Sequence, residues 1–498
     1  MKRRSFLVAA AAATSAIKAN AQSTASAPLL QTSPYANAHQ GLFCKTLPHD
    51  AEGKVAPQIL RDVGAALSSR NIAAIEALPI NNEYRFVSPL ASATWSQWKY
   101  SSQVKMPAAP PAWDSPALAE QALELYWMSL LRDEKLTSLS RSSLAREAAA
   151  ELSQTQSFRG ITAEKFGRDL GAFLPAAQHG YAISQLLWMP IPYGAHTIWQ
   201  SYKMPFRNQA FLTKWNEWLD VQNGKWQPGI LQHHSELHYL RSGRELAEYV
   251  RWDFSYQAFI NAANIIMGDP HRPRAALNAA LPYKTARTQN GFATLGPAEV
   301  LAMIARAADM ALKAAWHVKW DQHALLRPEE YGGLVEKSAM PAAQKLRESQ
   351  ALKRVKNEYG SYLLPQAYPE GAPAHPAFPS GHATIAGACA TVMKAFFDPE
   401  LKFRFPIQPT SDGRDRESYD GPATNVGTEI DKLAANISIG RQWAGIHWQC
   451  DSTGGLALGE EVGLAVLKEA FDQYAEAKAG WFKGFRVTRF DGSVAVVS

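Results

Sequence analysis

Cysteine is scarce in this sequence: 498 residues hold only Cys44, Cys389 and Cys450. So small and odd a set excludes a disulfide scaffold and any C-x-x-C thiolate zinc site. A single bridge stays open, with buried, unpaired thiols as the expectation. Long apolar runs are also lacking. None nears the roughly 18 residues that cross a bilayer, which excludes a multi-pass membrane protein. Charged residues are 19% against 46% hydrophobic and 10% aromatic, the reverse of a disordered composition. The 30 prolines and 32 glycines are ordinary usage, so collagen-like and low-complexity readings fall away. No repeat of fixed period is found.

Acidic residues are missing from the first 21 positions, while Lys2, Arg3, Arg4 and Lys18 lie there. Setting those four aside from the 51 bases leaves 47 against 45 acids, a balance of +2 rather than +6. The basic excess is mostly a leader, and nucleic-acid binding is not expected. The leader has a basic start, an apolar stretch from Phe6 to Ile17 and an A-x-A cleavage site at Ala19-Asn20-Ala21. Arg3-Arg4 followed by Ser5-Phe6-Leu7 resembles a twin-arginine signal; an ordinary secretory peptide is the alternative. Either places the mature chain, from about Gln22, in the periplasm or outside the cell.

Helical periodicity dominates the remainder. It runs over Ala117–Leu136 and again over 243–267, 297–325, 381–397 and 453–479. Phe485–Phe490, Asp491-Gly492 and Ser493–Val497 predict a small hairpin. The expected division is a signal peptide at 1–21, an N-terminal helical segment at 22–150 packed on the core, a main domain at 151–480 and a tail at 481–498. A long non-helical stretch from Phe403 to Gly427 is expected to form a rim or lid beside a site.

Three distant segments concentrate groups suited to a tetrahedral oxyanion. In the first, Lys319 is followed by Arg327-Pro328. Pro328 disfavours α geometry at Arg327, so the helix carrying Lys319 is expected to end there, with Lys319 inside and Arg327 at the mouth. In the second, Pro379-Ser380-Gly381-His382 reads as a helix start. Its free N–H groups and positive dipole end suit an anion, and His382 titrates near neutrality. In the third, Arg441 precedes His447 and Asp451. Four residues apart, these two are expected to face each other on a helix, with Asp451 taking the Nδ1 proton and leaving Nε2 free. Two arginines, a lysine, a Ser/Gly helix start and two histidines make a cationic cage for phosphate or vanadate.

These motifs, in this order and spacing, resemble the signature shared by vanadium-dependent haloperoxidases and type-2 phosphatidic acid phosphatases. The flanking stretches Tyr239–Glu248 through Gln257–Phe259, Ala311–Trp316 into Lys319-Trp320, Arg327–Gly333, Leu363–Gly371 and Lys432–Asn436 into Arg441, with the seven-residue gap between Lys319 and Arg327, are similar to the bromoperoxidase-type branch, over roughly 155–470. From 22 to 150 no family resemblance is found. The resemblance implies an all-α fold of two four-helix bundles, with the hairpin as a C-terminal addition, and one vanadate per chain. It implies vanadium on Nε2 of His447, oriented by Asp451. The oxygens would be held by Lys319, Arg327, Ser380, Gly381 and Arg441. His382 would accept a proton as peroxide binds, and Lys319 would polarise that peroxide. Hydrogen peroxide, a halide and a small organic acceptor are the implied partners, in a homodimer or larger assembly with no membrane span. His375, seven residues before His382, implies bromide and iodide over chloride. Trp316 and His323 are expected to pack around the cage, and Asp253 to pair with a cage arginine.

Two other classes remain in view. A secreted acid phosphatase would use His447 as nucleophile and His382 as acid, and a periplasmic binding protein would only hold the anion. A further cluster, His233, His234, Glu236 and His238, departs from H-E-x-x-H. A polar helix face is expected there rather than a zinc site.

Overall fold

The computed structural model describes residues 33–498 apart from 81–82, 169, 171–173, 176–179, 226–228, 253–255 and 269–275. The leader at 1–21 and Asp253 therefore lie outside the described residues. Ser33–Ser498 forms one compact unit, and residues 95–152 share its main core.

The longer helices are α1 (Pro57–Ser69), α2 (Pro116–Leu131), α3 (Ser143–Leu152), α4 (Gly243–Tyr249), α5 (Gln257–Met267), α6 (Pro297–His317), α7 (Pro328–Glu336), α8 (Gln350–Tyr359), α9 (Gly381–Phe396), α10 (Val426–Trp443) and α11 (Gln449–Phe471). Their starts carry local reasons. Ser115, Ser142, Ser349, Ser380 and Asn425 accept first-turn N–H groups, and Ser242 with Glu245 forms a capping box on α4. Helices α6, α9, α10 and α11 form the main bundle, while α2 packs with α3, α8 and α10 as a second, shorter helical group. Among the described residues, four two-stranded antiparallel ribbons decorate them: β1 (Ile191–Tyr193) with β2 (His196–Ile198), β3 (Tyr202–Pro205) with β4 (His233–His238), β5 (Ile407–Pro409) with β6 (Arg416–Ser418), and β7 (Phe485–Thr488) with β8 (Val494–Val497). The last is the expected hairpin, anchored where Phe485 meets Phe396 at 5.6 Å.

One seam decides where the site forms. In α11, Gly455, Gly459 and Gly463 recur every four residues on one ridge, against α9. A Cβ at Gly459 would stand 2.1 Å from the Thr384 carbonyl oxygen, and one at Gly387 2.4 Å from that of Leu456. The two backbones are in contact because no side chain separates them. That contact draws the N-terminal ends of α9 and α11 together, and Ser380 N donates to Asp451 O at 2.9 Å.

Several expectations are corrected. The 243–267 pattern is two helices. The helix expected over Ala117–Leu136 is α2 and ends at Leu131, and the last long one runs Gln449–Phe471 with a short Ala475–Lys478 turn after it. The 233–238 cluster is strand β4 rather than a helix face, because pairing with β3 overrides local propensity. No group of three or more His, Cys, Asp or Glu residues among the described residues could hold a metal ion. The Phe403–Gly427 stretch folds as the β5–β6 ribbon, held through Gln185 on Ile407 and an Arg414–Glu236 ion pair. It also meets the segment entering α4, where Tyr239 N donates to Gly413 O at 2.9 Å and Arg241 Nη1 to Ser411 O at 3.3 Å, and it leads into the start of α10. All three cysteines are free, and among the described residues no helix is long and apolar enough to cross a membrane.

Candidate active site

Lys319 reaches the interior by a local irregularity. Helix α6 ends at His317 and the chain continues as one π-helical turn, Val318–His323, closed by Ala324 at φ +46°. Such turns re-aim side chains, and Lys319 is fully buried, its Nζ donating to the carbonyls of Pro376 and Ala377 at 2.7 Å each. The proline effect on Arg327 is present, with φ −80° and ψ 155°. However, Arg327 heads α7 rather than closing the Lys319 helix. It is also not at the mouth: its exposure is 0%. Its guanidinium donates from Nε to His375 O at 2.8 Å and from Nη1 to Ile446 O at 2.9 Å. Nη1 also meets His447 Nε2 at 2.9 Å, and Nη2 meets His375 Nδ1 at 3.0 Å.

Ser380 caps α9 through its hydroxyl, which accepts from Ala383 N at 3.3 Å. Gly381 and His382 occupy the first turn. A Cβ at Gly381 would meet the Trp316 ring at 3.1 Å, so glycine here admits Trp316, whose ring lies 4.7 Å from that of His375. His323 packs edge-on to Phe378. Arg441 comes from the last turn of α10, donates from Nη1 to Val250 O at 2.7 Å, and keeps a buried Nε without a hydrogen-bond partner.

His447 and Asp451 do pair, Nδ1 to Oδ2 at 2.7 Å with both buried, yet not along a helix. His447 precedes α11, Trp448 caps it, and Asp451 is its third residue, where the carboxylate also accepts Trp448 N at 2.9 Å. The carboxylate thus serves as helix cap and histidine anchor together. With Nδ1 donating to Asp451, Nε2 is the acceptor from Arg327 and carries a lone pair into the cage.

Burial pushes Asp451 up to about 7 and Arg327 down to about 10, and drives Lys319 well below its ordinary value, with Arg327 adding to that fall. His375, His382 and His447 are all held well below the usual imidazole value, by burial first and by the cage cations next. The histidines are therefore neutral at pH 7. Three cations converge on buried space with an unpartnered guanidinium N–H and the first turn of α9, whose N–H groups have no intrahelical acceptor. Such a donor set fits a tetrahedral oxyanion, whose charge offsets the cost of burying the cations.

Sequence reasoning missed Glu330. Its carboxylate accepts Arg327 N at 2.5 Å, Cys44 N at 2.7 Å and Lys45 N at 3.0 Å, tying the N-terminal segment to the cage. A Glu three residues after the helix-heading Arg327 was the available signal.

Fold and site together define a helical-bundle enzyme built around a buried oxyanion cage. Residues 299–476 match the family described as the VCPO second helical-bundle domain. The chain is 31% identical over 476 residues to a vanadium-dependent bromoperoxidase of Ascophyllum nodosum, covering 89% of this chain and 85% of that one. It is 34% identical over 335 residues to a vanadium-dependent bromoperoxidase of Corallina pilulifera, covering 61% of this chain and 54% of that one. The solved structure of the second vanadate-dependent bromoperoxidase of Ascophyllum nodosum, a homohexamer, superposes with a TM-score of 0.82 at 25% identity, over 91% of this chain and 84% of that one. The chain belongs to the vanadium-dependent haloperoxidases. It is a haloperoxidase enzyme, and vanadate is its cofactor.

Proposed function

We propose that this enzyme uses hydrogen peroxide to oxidise bromide and iodide in preference to chloride, yielding a hypohalous acid equivalent that halogenates small organic acceptors. The carrying observation is the convergence of Lys319, Arg327 and Arg441 on a His447 whose Nδ1 is fixed by Asp451. Relatives named bromoperoxidases and the placement of His375 between Trp316 and Arg327 support the halide preference.

In this reading, His447 Nε2 would be the ligand to vanadium, with Asp451, bonded to Nδ1, leaving that nitrogen unprotonated. Lys319, Arg327, Arg441, the Ser380 hydroxyl and the Gly381 N–H hold the oxygens. Arg327 Nη1, which meets His447 Nε2 at 2.9 Å, would be one of the donors to the oxyanion. Bound vanadate supplies a Lewis-acid centre that activates peroxide without changing oxidation state. His382, neutral in the protein, would be the base that takes up a proton released in the site. Lys319, fixed by two carbonyls, would keep one N–H to donate to an oxygen held in the cage.

The test uses protein stripped of oxyanions and assayed with and without vanadate, for bromination of a dye and for hydrolysis of an aryl phosphate. Bromination that needs vanadate, peroxide and bromide and is lost in His447→Ala is the expected result. Phosphate hydrolysis inhibited by vanadate, with no halide oxidation, would overturn it in favour of phosphoryl transfer. We also propose a homo-oligomer, supported by the homohexameric relative and testable by light scattering. Finally, we propose export through the Arg3-Arg4 leader, testable by finding a mature N-terminus near Gln22 in an extracytoplasmic fraction.

A further inference from the structure

Segment 41–46, which carries no motif, is stitched to the outer wall of the cage. Phe43 N donates to Ala324 O at 2.8 Å and Leu326 N to Gly41 O at 3.1 Å, so the segment runs antiparallel to the residues leading into Arg327. Lys45 then turns inward and is fully buried. Its ammonium has three acceptors for three N–H groups: Glu329 Oε1 at 2.6 Å, Glu370 O at 2.8 Å and Ala372 O at 2.5 Å. Glu329 Oε2 accepts Ala372 N at 2.6 Å. The pair thereby clasps the head of α7, which carries Arg327, to segment 370–377. That segment supplies His375 and the carbonyls that hold Arg327 and Lys319.

As packing alone such a pair does little, because desolvating two ions costs about what their attraction returns. An ion pair differs from an apolar pair in the charge it sets beside a site. Uncompensated, the Glu329 carboxylate would act on Arg327, two residues away, and oppose an anion in the cage.

We propose that Lys45 is a positioning residue of the oxyanion cage, holding segment 370–377 against Arg327 and cancelling the charge of Glu329 so that this carboxylate does not oppose the pull of Lys319, Arg327 and Arg441 on the bound anion. The inference rests on the vanadate-cage reading above. A structural role and an electrostatic one separate cleanly. Removing either partner costs stability. Lys45→Met leaves a buried negative charge and weakens anion binding, whereas Glu329→Gln leaves a positive one and strengthens it. For unit charges on the order of 10 Å apart at an effective dielectric of about 20, each effect is roughly tenfold.

The experiment titrates the apo forms of wild type, Lys45→Met and Glu329→Gln with orthovanadate by calorimetry, with thermal unfolding in parallel. Both variants melt below wild type, and Glu329→Gln binds at least threefold tighter than Lys45→Met. Any smaller difference, or the reverse order, overturns the proposal. If Lys45→Met does not fold, Glu329→Gln is compared with wild type: tighter binding supports the proposal, and equal or weaker binding overturns it. Wild type that fails to bind orthovanadate would overturn the cage reading as well.

Discussion

Asp451→Asn is the sharpest test of the cage. The carboxylate is wholly buried and its Oδ2 takes two hydrogen bonds, from His447 Nδ1 at 2.7 Å and Trp448 N at 2.9 Å. A carboxamide of the same shape has one acceptor oxygen and a donor NH2 in place of the second. Both donors share one oxygen, which a carboxamide oxygen in that position still offers to both, so the substitution mainly removes the negative charge and sets an NH2 where Oδ1 stood. Losing the charge also releases the imidazole to place its proton on Nε2, the nitrogen needed as ligand. Removing an outer partner of a liganding histidine typically weakens binding about 10–100-fold, equivalent to about 1.4–2.7 kcal/mol. Equilibrium dialysis of apo Asp451→Asn with orthovanadate should show that loss, with bromination falling in parallel at fixed vanadate and recovering in excess. A folded variant whose vanadate dissociation constant stays within threefold of wild type would refute the argument that Asp451 orients His447.

Gly459→Ala places a methyl 2.1 Å from the Thr384 carbonyl oxygen. Forcing α9 and α11 apart should cost about 1–3 kcal/mol in denaturant unfolding, and should weaken vanadate binding by straining the Ser380–Asp451 contact. His375 is held well below its ordinary 6.5 by burial and by Arg327. Below pH 6.5 the unfolded chain therefore takes up a proton that the folded one refuses, and stability falls by about 1.4 kcal/mol per pH unit for this group. Apo His375→Gln should lose that increment of slope in unfolding measured from pH 6.5 downward. Vanadate at about 100 times its dissociation constant should stabilise the apo-protein by about 2.7 kcal/mol, read as a rise in Tm, and Arg441→Met should reduce the rise at the same vanadate concentration.

What could be read from sequence was chemistry carried within a few residues of itself. The Ser380 cap, the extended Arg327 before Pro328, the His447–Asp451 pairing and the β7–β8 hairpin each follow from steric or hydrogen-bonding rules acting over about four residues. Where a partner lies far along the chain, the same reasoning fails. Strand β4 takes its conformation from β3, some thirty residues earlier. The 403–427 stretch folds as a ribbon held by Gln185 and Glu236, partners about 180 to 220 positions away. Glycines at 455, 459 and 463 are visible in sequence, but that they admit the α9 backbone is a fact of packing. Lys45, which meets Glu329 across 284 positions, gives no local signal at all. The sequence by itself determined which groups could bind an oxyanion and how each is presented by its own turn or helix end. Only tertiary structure decided that three buried cations share one space and that Asp451 joins a helix cap to a histidine anchor. The reason is physical: capping and backbone sterics act locally, whereas burial, field and close backbone approach depend on which distant segments meet.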